Sequence, residues 1–176
     1  ILTQAAIRRA WHFANKVVVT VNYTDSNQYN RQKIRYDHFM SKLGEEAVYA
    51  AFSFLGQSLV LTPPDYMIYK GNQKSWQADL YVNGVPLAVK TQSVVQAQKY
   101  GLSWTFQCAS TRKDPILQES EYWVCFVACE SQKKGYPCYV YPPKQIKQLV
   151  FGEPILPYLK GKKKVVYAKQ NFNTID

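Results

Sequence analysis

The sequence predicts an α/β chain in which a run of short strands is preceded and followed by helices. Three observations carry this. The stretch NRQKIRYDHFMSKLGEEAVYAAFSFLG, residues 30–56, has apolar residues at helical spacing. After it come short β-rich segments, YMIYK, WQADLYV, VPLAVKTQ, SWTFQCAS, EYWVCFVACE and CYVYPP, set apart by turn residues. LTQAAIRRAWHFA reads as a helix before the strands and PKQIKQLVF as a short one after them. Helices flanking a sheet bury its apolar face, so a layered α/β or α+β architecture is expected.

In the first helix Arg8 and Arg9 fall on an exposed side. KVVVTVNY is β-branched and is expected to be a strand or an extended arm, which polar TDSNQYN then breaks. Within the long helix Gly44 is a possible interruption, and Gly56 is the natural C-cap. The proline pair in LTPPDY marks a turn. Near the end, LKGKKKVVYAK reads as a basic turn leading into a final strand. No repeat or low-complexity linker divides the chain. One domain over residues 1–176 is expected, with a core at about 44–145, an N-terminal helical arm and a basic C-terminal segment.

Hydrophobic residues are 47% and charged residues 19%, a globular balance. Twenty-two Lys and Arg against 12 Asp and Glu give a net charge of +10, which favours a polyanionic partner, most often nucleic acid. No apolar run approaches the ~20 residues of a membrane span. The arginines among the first residues interrupt any signal-like apolar stretch, so no secretory signal is expected. Cys108, Cys125, Cys129 and Cys138 form no CxxC pair, and His12 and His38 are the only imidazoles. That argues against zinc and for reduced core thiols in a cytoplasmic protein. Cys125 and Cys129 share a strand face but lie too far apart along it to bridge.

Asn83-Gly84 between two β-rich runs is a strong hairpin signal, because a type I′ turn needs positive φ at both central residues. A two-residue loop pairs Val82 with Val85, Tyr81 with Pro86, Leu80 with Leu87 and Asp79 with Ala88. One face then carries Ala78, Leu80, Val82, Val85, Leu87 and Val89, an apolar set. The other carries Gln77, Asp79, Tyr81, Pro86, Ala88, Lys90 and Gln92. A carboxylate beside a lysine on a rigid hairpin can hold a divalent cation and place an ammonium near an attacking water. The plainer alternative is a cross-strand ion pair on a solvated face, which contributes little.

The order of an acidic helix, an Asp strand, a hairpin and a strand ending near a lysine resembles the PD-(D/E)xK nuclease superfamily. That superfamily includes restriction endonucleases, intron-encoded homing endonucleases and junction resolvases. GEEAVYAAFSFLG is similar to its first core helix and ADLYVNGVPLAVKTQ to its catalytic hairpin. EYWVCFVACE, CYVYPP and KQIKQL resemble its later strands and helix. The resemblance implies a restriction endonuclease-like core, a central mixed β-sheet flanked by helices. It further implies sequence-specific, Mg²⁺-dependent hydrolysis of double-stranded DNA, with Mn²⁺ as a substitute, by a homodimer or homotetramer.

Under that resemblance Asp79 matches the metal-binding aspartate and Lys90 the lysine that orients the water and stabilises developing charge. Asp65, in the literal Pro-Asp, is the alternative to Asp79 but follows two prolines in a probable loop. The helix would add Glu45, in phase with the buried stripe of Val48, Phe52 and Leu55, whereas Glu46 is expected to turn toward solvent. Position 88 departs from the family, which places an acid or glutamine there; Ala88 has no ligand atom. Three origins are open: deliberate substitution, a naturally inactive DNA-binding relative, or oxygen supplied by Gln92 or Gln77. Deliberate substitution is preferred, since the rest of the face is intact.

Phosphate contacts are expected from Arg31, Lys33 and Arg35 before the core helix, from Lys99, Arg112 and Lys113 after the hairpin, and from Lys162 and Lys163 in the basic turn. Gln96 and its polar neighbours follow the lysine strand, where a base-reading segment would sit, and Tyr23, Tyr29 and Tyr36 are candidates for stacking. Rival functions are a non-catalytic DNA-binding module, a junction resolvase, and a basic protein-interaction domain.

Overall fold

The computed structural model describes residues 1–21, 29–56, 58–69 and 78–173. The chain is α/β: two helices cover one face of a mixed sheet, and a second, antiparallel sheet covers the other. The helices are α1 (Gln4–Val17) and α2 (Arg31–Leu55). Thr3 caps α1 by accepting from the Ala6 N–H, and Asn30 caps α2 by accepting from Gln32 and Lys33. Ala6, Ala10 and Ala14 form the buried stripe of α1. Small side chains there let the two helices approach closely.

The strands are β1 (Leu80–Val82), β2 (Val85–Ser93), β3 (Ser103–Ala109), β4 (Arg112–Lys113), β5 (Trp123–Cys129), β6 (Cys138–Val140), β7 (Lys144–Gln145), β8 (Phe151–Gly152) and β9 (Lys163–Tyr167). Two short helices complete the chain, α3 (Val94–Tyr100) and α4 (Ala168–Asn171). The mixed sheet runs β1-β2-β5-β6, with β7 also on β5; β2 and β5 are parallel and the other pairs antiparallel. Parallel neighbours need a crossover, and α3, β3 and β4 supply it. The second sheet runs β4-β3-β9-β8.

The hairpin has the register that Asn-Gly dictates: Leu80↔Leu87, Tyr81↔Pro86 and Val82↔Val85. Asn83 and Gly84 have φ of 49° and 77°, the pair a type I′ turn requires. Leu80, Leu87 and Val89 join Leu43, Ala47 and Val48 of α2 in one core. Ala88, Val124 and Phe126 face the other way, into a second core with Trp104, Phe106 and Val166. The two sheets are tied there by the Trp104 indole, which donates to the Val127 carbonyl at 3.0 Å and lies 4.9 Å from the Phe126 ring.

Several expectations are corrected. Lys16 and Val17 do not begin a strand; they complete α1, and residues 18–20 form a turn. Val17 is buried at the helix end, and that burial outweighs β-branched propensity. Tyr66–Tyr69 form no strand, because Asp65 turns the chain, accepting from the Met67 N–H and the Tyr69 hydroxyl. The expected helix PKQIKQLVF is instead β7, one 3₁₀ turn at Ile146–Gln148, and β8. Its first residues complete the edge of β5 and its Ile146 fills the second core. By contrast SVVQAQKY, read as a polar reading segment, contains α3, capped by Ser93. Gly56 does sit at the C-cap, but in extended backbone. Tyr23, the first five residues of the polar break after it, and Trp76 and Gln77 lie outside the described residues.

Gly44 does not interrupt α2; it brings the helix onto β2. A Cβ at Gly44 would stand 1.8 Å from Thr91 Oγ1 and 2.9 Å from its Cβ. Gly44→Ala is expected to cost roughly 1–3 kcal/mol in urea unfolding, through overpacking that outweighs the helix-propensity gain. A midpoint at or above that of the parent chain would show that the interface gives way freely.

Candidate active site

The close approach of α2 to β2 sets Glu45 into the layer between them, only 3% exposed. Lys42, one turn earlier on the same face, reaches Glu45 Oε2 with its Nζ at 2.6 Å. Burial, reinforced by the Asp79 charge, pushes the Glu45 carboxyl up to about 8 despite the opposing Lys42 ammonium. Asp65 adds a smaller push in the same direction.

Asp79 stands immediately before β1. Extending the hairpin register would hand the Val89 N–H to the Ala78 carbonyl. Asp79 Oδ2 takes it instead, at 2.7 Å, so the carboxylate ends the ladder and one of its oxygens is committed. Burial raises the Asp79 carboxyl, against the pull of the Val89 N–H and the Lys90 and Lys42 ammonium groups; Asp114 adds to the rise. Glu45 and Asp79 are thus both buried carboxyls that resist ionisation, and the Asp79 charge reaches Glu45.

Lys90 is on the opposite face of β2 from α2, and its partner is not Asp79. Its Nζ is 2.8 Å from Asp114 Oδ2, with the two side chains 25% and 13% exposed, and it lies 4.6 Å from the Phe106 ring centroid. Asp114 is itself fixed: its N–H donates to the Gln107 carbonyl, and Oδ1 accepts from Ile116 at the start of a 3₁₀ turn. Between Asp79 and Lys90, Ala88 is 8% exposed and neighbours Val124 on β5. Tyr122 packs on the same core, and its phenol is pushed up to about 12 by burial and then by the Asp79 charge, with Asp114 contributing.

Other expected site residues have different places. Glu46 does not turn to solvent: it is 5% exposed, and its Oε1 accepts from Arg9 at 2.7 Å and from the Tyr66 hydroxyl at 2.7 Å. Arg9 is exposed, as expected, and its guanidinium reaches from α1 to the buried Glu46 of α2. Gln92 secures the start of β3, accepting from the Ser103 N–H at 2.8 Å and donating to the Gly101 carbonyl. Gln77 lies outside the described residues. Asp65 is exposed, in its own turn.

The expected phosphate-binding residues fall into separate groups. Lys113 on β4 and Lys163 on β9 flank β3, pairing with Cys108 and Gln107, and the Lys162 carbonyl accepts from the Cys108 N–H. Arg112 is on the same strand as Lys113. This basic end of the second sheet runs directly into Asp114 and so adjoins Lys90. Gln96 and Lys99 are on α3, and Gln96 lines a cleft of about 230 Å³ with Lys90, Gln92, Tyr100 and Leu156. Arg31, Lys33 and Arg35 belong elsewhere, at the start of α2, about 15–21 Å along the helix from Glu45. Lys33 pairs with Asp37, and Arg35 stacks on Trp11 with its guanidinium 5.3 Å from the ring centroid.

Sequence reasoning missed Asp114, Lys42 and Tyr122. Lys42 could have been found from its i,i+3 spacing to Glu45. Asp114 and Tyr122 have no local signal, since only the second sheet and β5 bring them to the hairpin. Among the described residues no cluster of three or more carboxylate, imidazole or thiol side chains is gathered for a metal. Comparison with known proteins finds no matching family model, curated protein or solved structure.

The raised Glu45 carboxyl has a testable sign. The unfolded chain releases its proton near the ordinary 4.5 while the folded chain keeps it to about 8. Folding stability should therefore fall as pH rises between those values, by up to about 1.4 kcal/mol per unit from this group. Glu45→Gln should flatten that slope in denaturant titrations at pH 5, 6.5 and 8. An unchanged slope would place the pH dependence in other groups.

Proposed function

We propose that the chain is a double-stranded DNA-binding protein of the restriction endonuclease-like, PD-(D/E)xK type, whose phosphodiester hydrolysis is impaired by alanine at position 88. The reading rests above all on two buried carboxyls, Glu45 and Asp79, with the Asp79 charge felt at Glu45 and the Lys90 ammonium felt at Asp79. The mixed sheet flanked by helices agrees with it. The basic end of the second sheet beside Lys90 is suited to a polyanion.

Glu45 and Asp79 supply the oxygen donors that Mg²⁺ takes, and this ion often binds through one or two carboxylates and keeps its waters. Two carboxylates fit it in kind, and an acid at position 88 would add the third. A bound Mg²⁺ would polarise the scissile phosphate and lower the pKa of a water. Within the chain, Lys90 would orient the attacking water and neutralise charge developing on the phosphate. Lys113, Lys162 and Lys163 would hold the DNA backbone, and Gln96 and Lys99 on α3 would follow the duplex. Arg112 belongs with the first group by its place on β4, while Arg31, Lys33 and Arg35 would contact a more distant stretch. Two protomers would bring two sites to the two strands, as a homodimer or homotetramer. A non-catalytic DNA-binding role on the same fold is favoured by one observation: the Lys90 ammonium is already engaged by Asp114.

Ala88→Glu decides between these readings. With Mg²⁺ and a library of duplex DNA, the variant should cut at fixed sites, and the parent chain at least about 100-fold more slowly. Absence of cutting by both, with folding and DNA binding retained, leaves the non-catalytic module. Preference for four-way junctions over linear duplex would instead indicate a resolvase. In the metal-free state the same variant should lose roughly 1–3 kcal/mol, because it buries another acid in an apolar core.

DNA affinity should fall steeply with salt. Replacing Lys113 and Lys162 together by Gln should reduce the slope of log K against log[salt] by about 2. A slope equal to that of the parent would remove this end of the second sheet from the interface.

A further inference from the structure

Cys129 closes β5 and Cys138 opens β6, and the two residues are directly opposite in the antiparallel ladder. Their position in the hydrogen-bond alternation is fixed from both sides. The Tyr141 N–H donates to the Phe126 carbonyl at 2.9 Å, and the Glu130 N–H donates to the Pro137 carbonyl at 2.8 Å. Counting inward from either bond makes Cys129 and Cys138 a non-hydrogen-bonded pair. In such pairs the Cα atoms are about 4.5 Å apart and the side chains approach most closely. That separation is within the roughly 4.4–6.8 Å that a disulfide spans. Both side chains contact the same core, and both thiols are free.

We propose that Cys129 and Cys138 form a reversible dithiol–disulfide site, oxidised by exchange with small-molecule disulfides of the glutathione class. The two thiols have unequal access. Cys129 is fully buried, whereas Cys138 is partly exposed, so Cys138 is the attacking group and Cys129 the resolving one. In its thiol form Cys138 donates to the Tyr136 carbonyl at 3.4 Å. The Cys129 thiol stabilises the Cys138 thiolate by donating to it, which lowers the Cys138 pKa and raises that of Cys129.

The Cys138 thiolate attacks one sulfur of the small disulfide, forming a mixed disulfide and releasing one thiolate. Cys129 then gives up its proton and attacks the Cys138 sulfur, expelling the second thiolate. Overall two protein thiols become one disulfide and the small disulfide becomes two thiols. The new bond would close the turn between β5 and β6. That turn holds Gly135 at φ 80° and Tyr136 at φ 44°, and the Leu2 N–H donates to the Gly135 carbonyl at 3.1 Å. Oxidation therefore clamps the turn onto which the first residues of the chain dock.

The test equilibrates the full chain carrying Cys108→Ser with oxidised and reduced glutathione, then quenches with acid and maps the thiols by mass spectrometry. Expected is a loss of two hydrogens and a Cys129–Cys138 linked peptide, reversed by excess reduced glutathione. Cys129→Ser should leave a stable glutathione adduct on Cys138, and Cys138→Ser should leave neither adduct nor disulfide. The site is overturned if Cys138 keeps its glutathione while Cys129 stays free, if Cys125 appears in the linked peptide, or if oxidised glutathione in large excess leaves both thiols unmodified. Because the mapping on the Cys108→Ser chain does not require either further variant to fold, it decides alone. DNA cleavage enters none of these outcomes.

Discussion

The contact between Gly44 of α2 and Thr91 of β2 organises the molecule. With only hydrogen on Gly44, the helix backbone comes down onto the strand, and the next helical residue, Glu45, is carried into the sheet layer beside Asp79. The preceding residue of the strand, Lys90, necessarily projects to the opposite face. The same close approach thus puts Glu45 on the α2 side of β2 while Lys90 projects from the other face, and the Asp79 carboxylate at the end of the hairpin ladder interacts with both. The approach also leaves Thr91 Oγ1 buried without a hydrogen-bond partner, a cost that a purely apolar residue would not carry.

The electrostatics follow from that geometry. Glu45 and Asp79 are both raised chiefly by burial, and Lys42 opposes the rise at each. Lys42 relieves part of that cost at Glu45 through a buried ion pair, while Asp79 is relieved by the Val89 N–H. Lys90 is in the opposite condition. Asp114 neutralises it from a segment held at both its N–H and its second carboxylate oxygen. Release of Lys90 toward the Asp79 side would require moving a fixed partner or offering it a stronger anion, and a phosphate in the adjoining basic end of the second sheet is such an anion.

What could be read from the chain was local. The Asn-Gly turn is a two-residue signal, and it gave the register of the hairpin and the composition of both its faces. The long helix and the strands from Val85 to Val140 carry enough periodicity or β-branching to be recognised in isolation. The misreadings have a common physical origin. Val17 is drawn into α1 by burial against α2, and Lys144 with Gln145 is drawn into an edge by the open side of β5. Both are tertiary decisions that override propensity. The site divides in the same way. The burial of Glu45 and the face that Lys90 shares with Ala88 were legible because helical phase and strand alternation are local rules. Asp114 and Tyr122 were not, since nothing in either neighbourhood signals that the second sheet and β5 would deliver them to the hairpin. Glu46 was misplaced because its partners, Arg9 and Tyr66, come from segments 37 and 20 residues away.

Alanine at position 88 can be understood from the core it enters. Its neighbours are Val124, Phe126 and Tyr122 between two sheets, and two carboxyls nearby already resist ionisation. A third acid there would have to stay protonated, hold a cation, or weaken the packing of both sheets. A methyl group removes that conflict and lets the second core close over the strand. Lys90, two residues on along the same face, borders that core and keeps its charge there by pairing with Asp114. The apolar cover over Ala88 and the pairing of Lys90 with Asp114 thus meet on one face of β2, where the packed core leaves the ammonium a fixed carboxylate as its partner.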